Sequence, residues 1–574
     1  MKAVIIGGVA GGATAAARIR RLDESAEIVI IERSGYISYA NCGLPYYIGG
    51  VIGDFDELTL QTPENFRRRY RIDARVREEA EAIDPVRKRV RIRRLETGEV
   101  YEESYDKLLL SPGAKPVVPA LEGTDSDRLF TLRTVEDTVA IRRFVEERAP
   151  RSAVLIGGGF IGLEMAENLR GLGLDISVVQ RSGHLFNVFD EDMAAGIHAE
   201  MRRRGVKLFL NADVTGFETT PEKTVVKLRD GSRIDSEMTV LAVGVRPDVE
   251  LAEKAGLELG PRGGIRVNAR METSVKDIYA VGDVVEVADF ATGKPALIAL
   301  AGPANKQGRI AADNICGLDS EYRGTQGSSV IRLFSMTAAS TGMTEARARK
   351  EGIDYGKVIL SPANHASYYP GARTMTVKVL YARPSLKILG AQILGYEGVD
   401  KRLDVIATAM RCGLTVTALK DLELAYAPPY SSAKDPVNMV GFVAENVETG
   451  KLRQFFAEEV DGLPRDGSVV LLDVRTPGEY ARGHAEGFVN IPLDELRERL
   501  GELEKPEAPG KMPEGKKTVY VMCQSGVRSY LACRILMQHG FDCRNFAGGY
   551  RYFETVRREQ CPAAETRPCG ADKN

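Results

Sequence analysis

The sequence reads as an α/β protein of several domains, two of them built on parallel strands wound through helices. Three observations predict this. A β-branched strand at residues 2–6 runs into a glycine turn and then an Ala-rich helix. The same strand, turn and helix recur at residues 152–171. At 574 residues the chain exceeds what one core supports, and ordinary domain sizes predict about three to five domains.

Composition narrows the partners. Lys and Arg number 78 against 80 Asp and Glu, a net charge of -2, so nothing global favours nucleic acid or a membrane. The arginine runs at 67–69 and 202–204 read as solvated helix faces. No apolar run approaches the ~18 residues of a membrane span, and the chain enters its first strand without a signal-peptide pattern. The expectation is a soluble, cytoplasmic protein. Its eight cysteines form no CxxC pair, which fits a reducing compartment, and no metal site is expected.

In the first unit the turn reads Gly7-Gly8-Val9-Ala10-Gly11-Gly12. Helix N-terminal amides and the helix dipole at such a turn hold a pyrophosphate. Gly7 and Gly12 take the outer positions of G-x-G-x-x-G, with Val9 in the middle. The strand at 27–31 ends at Glu32, where a ribose-binding acid belongs, with Arg33 beside it. In the second unit Gly157, Gly159 and Gly162 complete the motif. Its second strand, 175–179, ends at Gln180 and Arg181. Gln180 removes the usual 2′-hydroxyl acceptor and Arg181 can receive a 2′-phosphate, so NADH and NADPH both stay open. Two such Rossmann-like units mean two dinucleotides, and the usual pair is FAD with a nicotinamide.

Two later segments extend the pattern. Leu108-Leu109-Leu110-Ser111-Pro112-Gly113-Ala114 follows the first unit, and Ile278-Tyr279-Ala280-Val281-Gly282-Asp283 follows the second. With both glycine motifs, in this order, residues 1–445 resemble the pyridine nucleotide–disulfide oxidoreductases. The resemblance implies an FAD-binding domain at 1–112 and 246–325, an NAD(P)H-binding domain at 113–245 and an α+β dimerisation domain at 326–447. It also implies that Ser111, Gly113 and Asp283 hold the flavin, Asp283 at its ribitol chain, and that a helix starts at residues 305–309.

The segment Ser38-Tyr39-Ala40-Asn41-Cys42-Gly43-Leu44-Pro45-Tyr46 holds one cysteine. Most disulfide reductases of the family carry Cys-x4-Cys there, so an internal disulfide is ruled out. Single-cysteine peroxidases and oxidases place a histidine in the glycine turn, where this chain has Ala10. The segment resembles instead that of the coenzyme A disulfide reductases. That resemblance implies Arg18 and Arg21 at coenzyme A phosphates, with Ser38 and Asn41 along its pantetheine arm. It also implies Tyr368 and Tyr426 reaching Cys42 from the other subunit of a homodimer with a shared active site. Coenzyme A is then either substrate or resident cofactor.

Residues 448–467 are charged and weakly periodic and read as a linker. Beyond them, Asp473-Val474-Arg475-Thr476-Pro477-Gly478-Glu479-Tyr480 and the loop Cys523-Gln524-Ser525-Gly526-Val527-Arg528 resemble an α/β rhodanese domain, placed at 468–560. A strand-loop-helix of this kind aims backbone N–H groups at the sulfur, favouring a thiolate or persulfide. Four residues separate Cys523 from Arg528, as in rhodaneses, against five in the phosphatase loop. The tail 561–574, with Cys561 and Cys569, reads as mobile and its cysteines as incidental. The functional expectation is flavin-dependent reduction of persulfide, polysulfide or coenzyme A persulfide or disulfide by NAD(P)H through Cys42. Cys523 handles sulfane sulfur. The alternatives are plain coenzyme A disulfide reduction, a thiosulfate-type sulfurtransferase and an NAD(P)H oxidase or peroxidase.

Overall fold

The computed structural model describes residues 1–503 and 517–560, and Cys561 and Cys569 lie outside the described residues. The chain divides into two compact units, the first made of residues 1–185 and 205–327. One of its sheets has the strand order Ile278–Ala280, Lys107–Leu110, Lys2–Ile6, Glu27–Glu32, Asp73–Val76, all parallel. Val4, Ile5, Ile30, Leu108 and Leu109 are fully buried, as expected of strands covered on both faces. The first strand lies between one that follows it directly and one reached by a long crossover. Its C-terminal end is therefore the switch point where open α/β sheets bind ligands.

A second parallel sheet repeats the arrangement, in the order Lys207–Phe209, Asp175–Val179, Ser152–Ile156, Met238–Leu241, Leu129–Thr131. Ser152–Ile156 and Asp175–Val179 coincide with the strands read from sequence. The helix expected to start at 305–309 begins earlier and spans Ala301–Ile315. Pro303 lies in its first turn, where a missing N–H costs nothing.

The second unit takes residues 186–204 and the described residues from 328 onward. Its antiparallel sheet runs Ser329–Leu333, Met336–Gly342, Ile388–Gly395, Thr376–Ala382, Tyr355–Leu360. The helix Glu191–Arg203, inside the span assigned to nicotinamide binding, clusters with this unit. Electrostatics supplies the reason. Lys378, only 1 % exposed, meets Asp190 at 3.1 Å, Asp192 at 2.9 Å and Glu345 at 2.8 Å, and a buried ammonium is tolerable only when so paired.

The C-terminal sheet is parallel, in the order Gln454–Phe455, Cys543–Phe546, Val519–Met522, Val470–Asp473, Val489–Asn490. Gln454–Phe455 falls inside the stretch read as linker. It joins the sheet because Phe455 is fully buried, edge-on to Tyr520 and Phe546.

Candidate functional site

The two glycine turns are built alike. Gly7 and Gly157 have φ of 96° and 109°, the left-handed region that favours glycine. A side chain at Gly7 runs into the Ser111 carbonyl, and one at Gly157 into that of Ala242. Gly12 and Gly162 in turn press on the carbonyls of Gly7 and Gly157. Neither following helix, Ala10–Leu22 or Phe160–Gly171, has a side-chain cap, which leaves first-turn amides for an anion. Nothing of the protein lies within 4 Å of a Cβ built on Gly159. The donor sets fit two dinucleotide pyrophosphates.

Glu32 accepts from the N–H of Gly8 and of Ser34, both at 2.8 Å. Burial raises its pKa, against the pull of these two N–H groups. Gln180 takes the equivalent place: its Oε1 accepts from the N–H of Gly158 at 2.8 Å and its Nε2 donates to Ser182 Oγ at 2.6 Å. Arg181 is exposed. Arg33 pairs with Glu79 at 3.4 Å and Asp248 at 3.9 Å.

Cys42 sits in the 3-10 turn Asn41–Gly43 ahead of the short helix Leu44–Ile48, and it is exposed. The turn is tied to the rest of the first unit by Arg133. The Asn41 amide donates to the Arg133 carbonyl and accepts from its Nη1, each at 3.0 Å, while Arg133 Nη2 donates to Asp283 at 2.8 Å. Gly113, with φ of 77°, keeps room beside the same guanidinium. The protein surroundings of Cys42 raise its thiol pKa by desolvation. The charges of Glu164 and Asp283 add to this and Arg133 opposes it. Glu164, on the helix Phe160–Gly171, is pushed up to about 7 by burial and by Glu167, against a hydrogen bond from Tyr46. Tyr46 follows Cys42 by one helical turn.

Arg133 and Glu164 were not read from sequence as site residues. Arg133 precedes the capping box of Thr134 with Asp137, a local signal for a helix start and nothing more. Glu164 lies two residues after the last glycine of the second motif, and only the fold brings it towards Cys42.

Other expected residues are placed as follows. Ser38 has φ of 49° and its N–H donates to the Gly8 carbonyl at 2.8 Å. Arg18 is held by Asp313 at 2.7 Å, and Arg21 is exposed. Tyr368 and Tyr426, in the second unit, share a hydrogen bond of 2.9 Å between their hydroxyls while 74 % and 48 % exposed. Tyr426 also lines a cavity of about 540 Å³ with His365, Lys401 and Arg402.

Cys523 directly follows the strand Val519–Met522, ahead of the helix Val527–Gln538, and it is 1 % exposed. Its Sγ accepts from the Gly526 N–H at 3.1 Å and from Ser529 Oγ at 3.2 Å. Gly526 has φ of 100°, which turns the loop so that its amide faces back to the sulfur. Gln524 accepts from Arg475 at 3.2 Å, and the Tyr550 N–H donates to the Cys523 carbonyl at 2.7 Å. Arg528 is bound to Glu479 through both oxygens, at 2.7 and 2.8 Å.

Two dinucleotide cradles, an exposed lone thiol in the first unit and a buried thiol in a loop of amides define a flavin- and nicotinamide-dependent thiol oxidoreductase with a C-terminal sulfur-handling module. The chain belongs to the pyridine nucleotide-disulphide oxidoreductase family, whose sequence model matches residues 1–308. The family's dimerisation domain matches residues 329–436 and a rhodanese-like domain residues 456–555. A coenzyme A disulfide reductase of Staphylococcus aureus (strain bovine RF122 / ET3-1) is 38 % identical over 445 residues, 77 % of this chain and 100 % of the relative. The crystal structure of reduced Bacillus anthracis CoADR-RHD matches with a TM-score of 0.93 at 47 % identity, covering 97 % of this chain and 98 % of that one. A NAD-dependent persulfide reductase from A. fulgidus matches with a TM-score of 0.89 at 36 % identity, covering 96 % and 100 %. Among the described residues no helix is long and apolar enough to cross a membrane, and no group of three or more His, Cys, Asp or Glu side chains could hold a metal.

Proposed function

We propose that this protein is an FAD-dependent reductase that uses NAD(P)H to reduce persulfide, polysulfide or coenzyme A persulfide or disulfide at Cys42, in a cytoplasmic homodimer with a shared active site. The observation that carries this reading is the pairing, in one chain, of a lone exposed thiol beside the flavin cradle with a second, built sulfur site at Cys523. The relatives named coenzyme A disulfide reductase and persulfide reductase support it. The expected domain limits belong to the same reading: 1–112 with 246–325 for FAD, 113–245 for NAD(P)H, 326–447 for dimerisation and 468–560 for the rhodanese.

Bound FAD and nicotinamide supply a two-electron path to the thiol site. Glu32 and the first glycine turn hold the flavin nucleotide; Gln180, Arg181 and the second turn hold the nicotinamide one. Cys42 thiolate attacks the inner sulfur of a persulfide R–S–SH and expels HS⁻, leaving a mixed disulfide R–S–S–Cys42. Two electrons then split it into RS⁻ and Cys42 thiolate. The sum is RSSH + NAD(P)H → RSH + HS⁻ + NAD(P)⁺. Arg133 fixes the Cys42 turn through Asn41 and balances Asp283. Tyr368 and Tyr426, supplied by the second copy, donate to the leaving sulfur. For coenzyme A, Ser38 and Asn41 line the arm and Arg21 takes a phosphate. Arg18 joins only by loosening its pair with Asp313. Cys523 carries sulfane sulfur as a persulfide in its amide loop.

The test is anaerobic oxidation of NADH and of NADPH with coenzyme A persulfide, polysulfide and coenzyme A disulfide, recording sulfide release in parallel. Faster turnover with the persulfide or polysulfide, with sulfide release lost in Cys42→Ser, is the expected result. Fastest turnover with coenzyme A disulfide and negligible sulfide rejects persulfide reduction in favour of plain disulfide reduction.

A further inference from the structure

The loop around Cys523 contains one cation, Arg528, and its charge is already spoken for. Its guanidinium donates both Nη1 and Nη2 to the two oxygens of Glu479, at 2.7 and 2.8 Å. This bidentate pairing takes up two of the guanidinium's five N–H donors and balances its charge, while Arg528 stays within electrostatic reach of Cys523. Glu479 is itself fixed, since its Oε2 also accepts from the Thr476 N–H at 3.0 Å in a helix capping box. The cation behind the loop is committed too. Arg475, 2 % exposed, pairs with Asp473 at 2.7 Å, donates to Gln524 and to the Gly483 carbonyl, and lies 3.9 Å from the Tyr550 ring centre. Arg551 meets the loop through its backbone and turns its guanidinium to Thr374 Oγ1 at 3.0 Å. Two guanidinium groups at the site are thus matched by two carboxylates, and what faces the sulfur is amide N–H and the Ser529 hydroxyl.

A sulfur donor must therefore bring its charge into a nearly closed site where, among the described residues, both guanidinium groups at the loop are already paired with carboxylates. Burying charge without a partner is costly, and the cost grows steeply from one charge to two. We propose that Glu479 sets the donor specificity of Cys523, selecting sulfane sulfur on an organic persulfide and disfavouring inorganic thiosulfate. The inference rests on the reading of Cys523 as a sulfur carrier. With an organic persulfide, Cys523 thiolate attacks the outer sulfur of R–S–SH. The new S–S bond forms on Cys523, the old one breaks, and its electron pair leaves with RS⁻. With thiosulfate the same attack on the outer sulfur expels sulfite, so a dianion must enter and a dianion must leave. Amide dipoles suffice for the single charge of the persulfide left on Cys523.

The experiment is the rate at which Cys523 in the full-length protein gains one sulfur atom, followed by intact-protein mass spectrometry, with mercaptoethanol persulfide and with thiosulfate as donors. Cys42→Ser in the background keeps the first thiol silent. The wild-type loop is expected to load faster from the persulfide. Glu479→Gln keeps the shape and a capping acceptor but removes the anion, and the persulfide-to-thiosulfate ratio of loading rates is expected to fall about tenfold. Thiosulfate loading in that variant should also weaken as salt rises. Thr476→Ala, which disturbs the same cap while leaving the Arg528–Glu479 pair, is expected to keep the wild-type ratio. A wild-type loop that loads as fast from thiosulfate, or a ratio unmoved in Glu479→Gln, overturns the inference while leaving Cys523 a carrier. Failure to load from either donor overturns the carrier reading and the inference with it.

Discussion

Cys42 and Cys523 are both thiols at the head of a helix, yet the chain treats them in opposite ways. Cys42 is exposed, on a turn held through Asn41 and Arg133, and its neighbours Glu164 and Asp283 disfavour its thiolate. Cys523 is buried, with two donors on its sulfur and a loop whose charges cancel in pairs. On the proposed reading, the first thiol is left incomplete, to be finished by cofactor, substrate and a second subunit. The second is finished within its own loop. Removing each sulfur is the strongest test of that division. Cys42→Ser is expected to lower NAD(P)H-dependent sulfur reduction by about a thousandfold or more, while Cys523 still gains sulfur from a persulfide. Cys523→Ser should show the reverse. Loss of both activities in either variant breaks the comparison.

If Cys42 is completed by the second copy, the tyrosine pair matters next. Tyr368→Phe and Tyr426→Phe are each expected to lower turnover by about a hundredfold, in the range of a positioned proton donor. Because the two hydroxyls share one hydrogen bond of 2.9 Å, the double variant should cost little more than either single one. Additive losses in steady-state kinetics say that the two hydroxyls act separately. For Cys523, completed locally, a smaller change tests the other side. Ser529→Ala leaves the Gly526 amide in place and should slow sulfur loading about tenfold, the worth of one lost hydrogen bond to a charged group. Unchanged loading kinetics remove Ser529 from the cradle.

The two sites also differ in how far sequence reveals them. The first strand of each dinucleotide unit is legible because it is a short apolar run ending at a glycine turn that no larger residue tolerates. Ser152–Ile156 and Asp175–Val179 match to the residue. The Cys523 loop is legible because Cys523 to Ser529 are neighbours in the chain, whereas its partners Arg475, Glu479 and Tyr550 come from further away. Around Cys42 the informative contacts are long-range. Asn41 meets Arg133, Arg133 meets Asp283, and Glu164 lies more than a hundred residues from Tyr46, so no local pattern announces them. Gln454–Phe455 was missed because a two-residue edge strand has no periodicity to read. The tie between the helix Glu191–Arg203 and Lys378 is equally hidden, because the two lie far apart along the chain.

Glu164 offers the finest test of what an unfinished site implies. Its carboxylate stands near Cys42 and raises the thiol pKa, and its own pKa lies at about 7. Two like charges in reach of each other titrate as a pair, so forming one disfavours the other. Above pH 7 Glu164 is mostly ionised and holds back the Cys42 thiolate; below it Glu164 is mostly neutral and the penalty fades. Glu164→Gln removes the charge at every pH, so Cys42 should alkylate with iodoacetamide about threefold faster than wild type in the alkaline range, as for a charge partly screened by solvent. The two proteins should converge as pH falls below 7. Tyr46→Phe removes the hydrogen bond that favours the carboxylate, which raises the Glu164 pKa and moves the point of convergence to higher pH. Profiles that stay parallel at all pH values mean that Glu164 acts on Cys42 through shape, not charge.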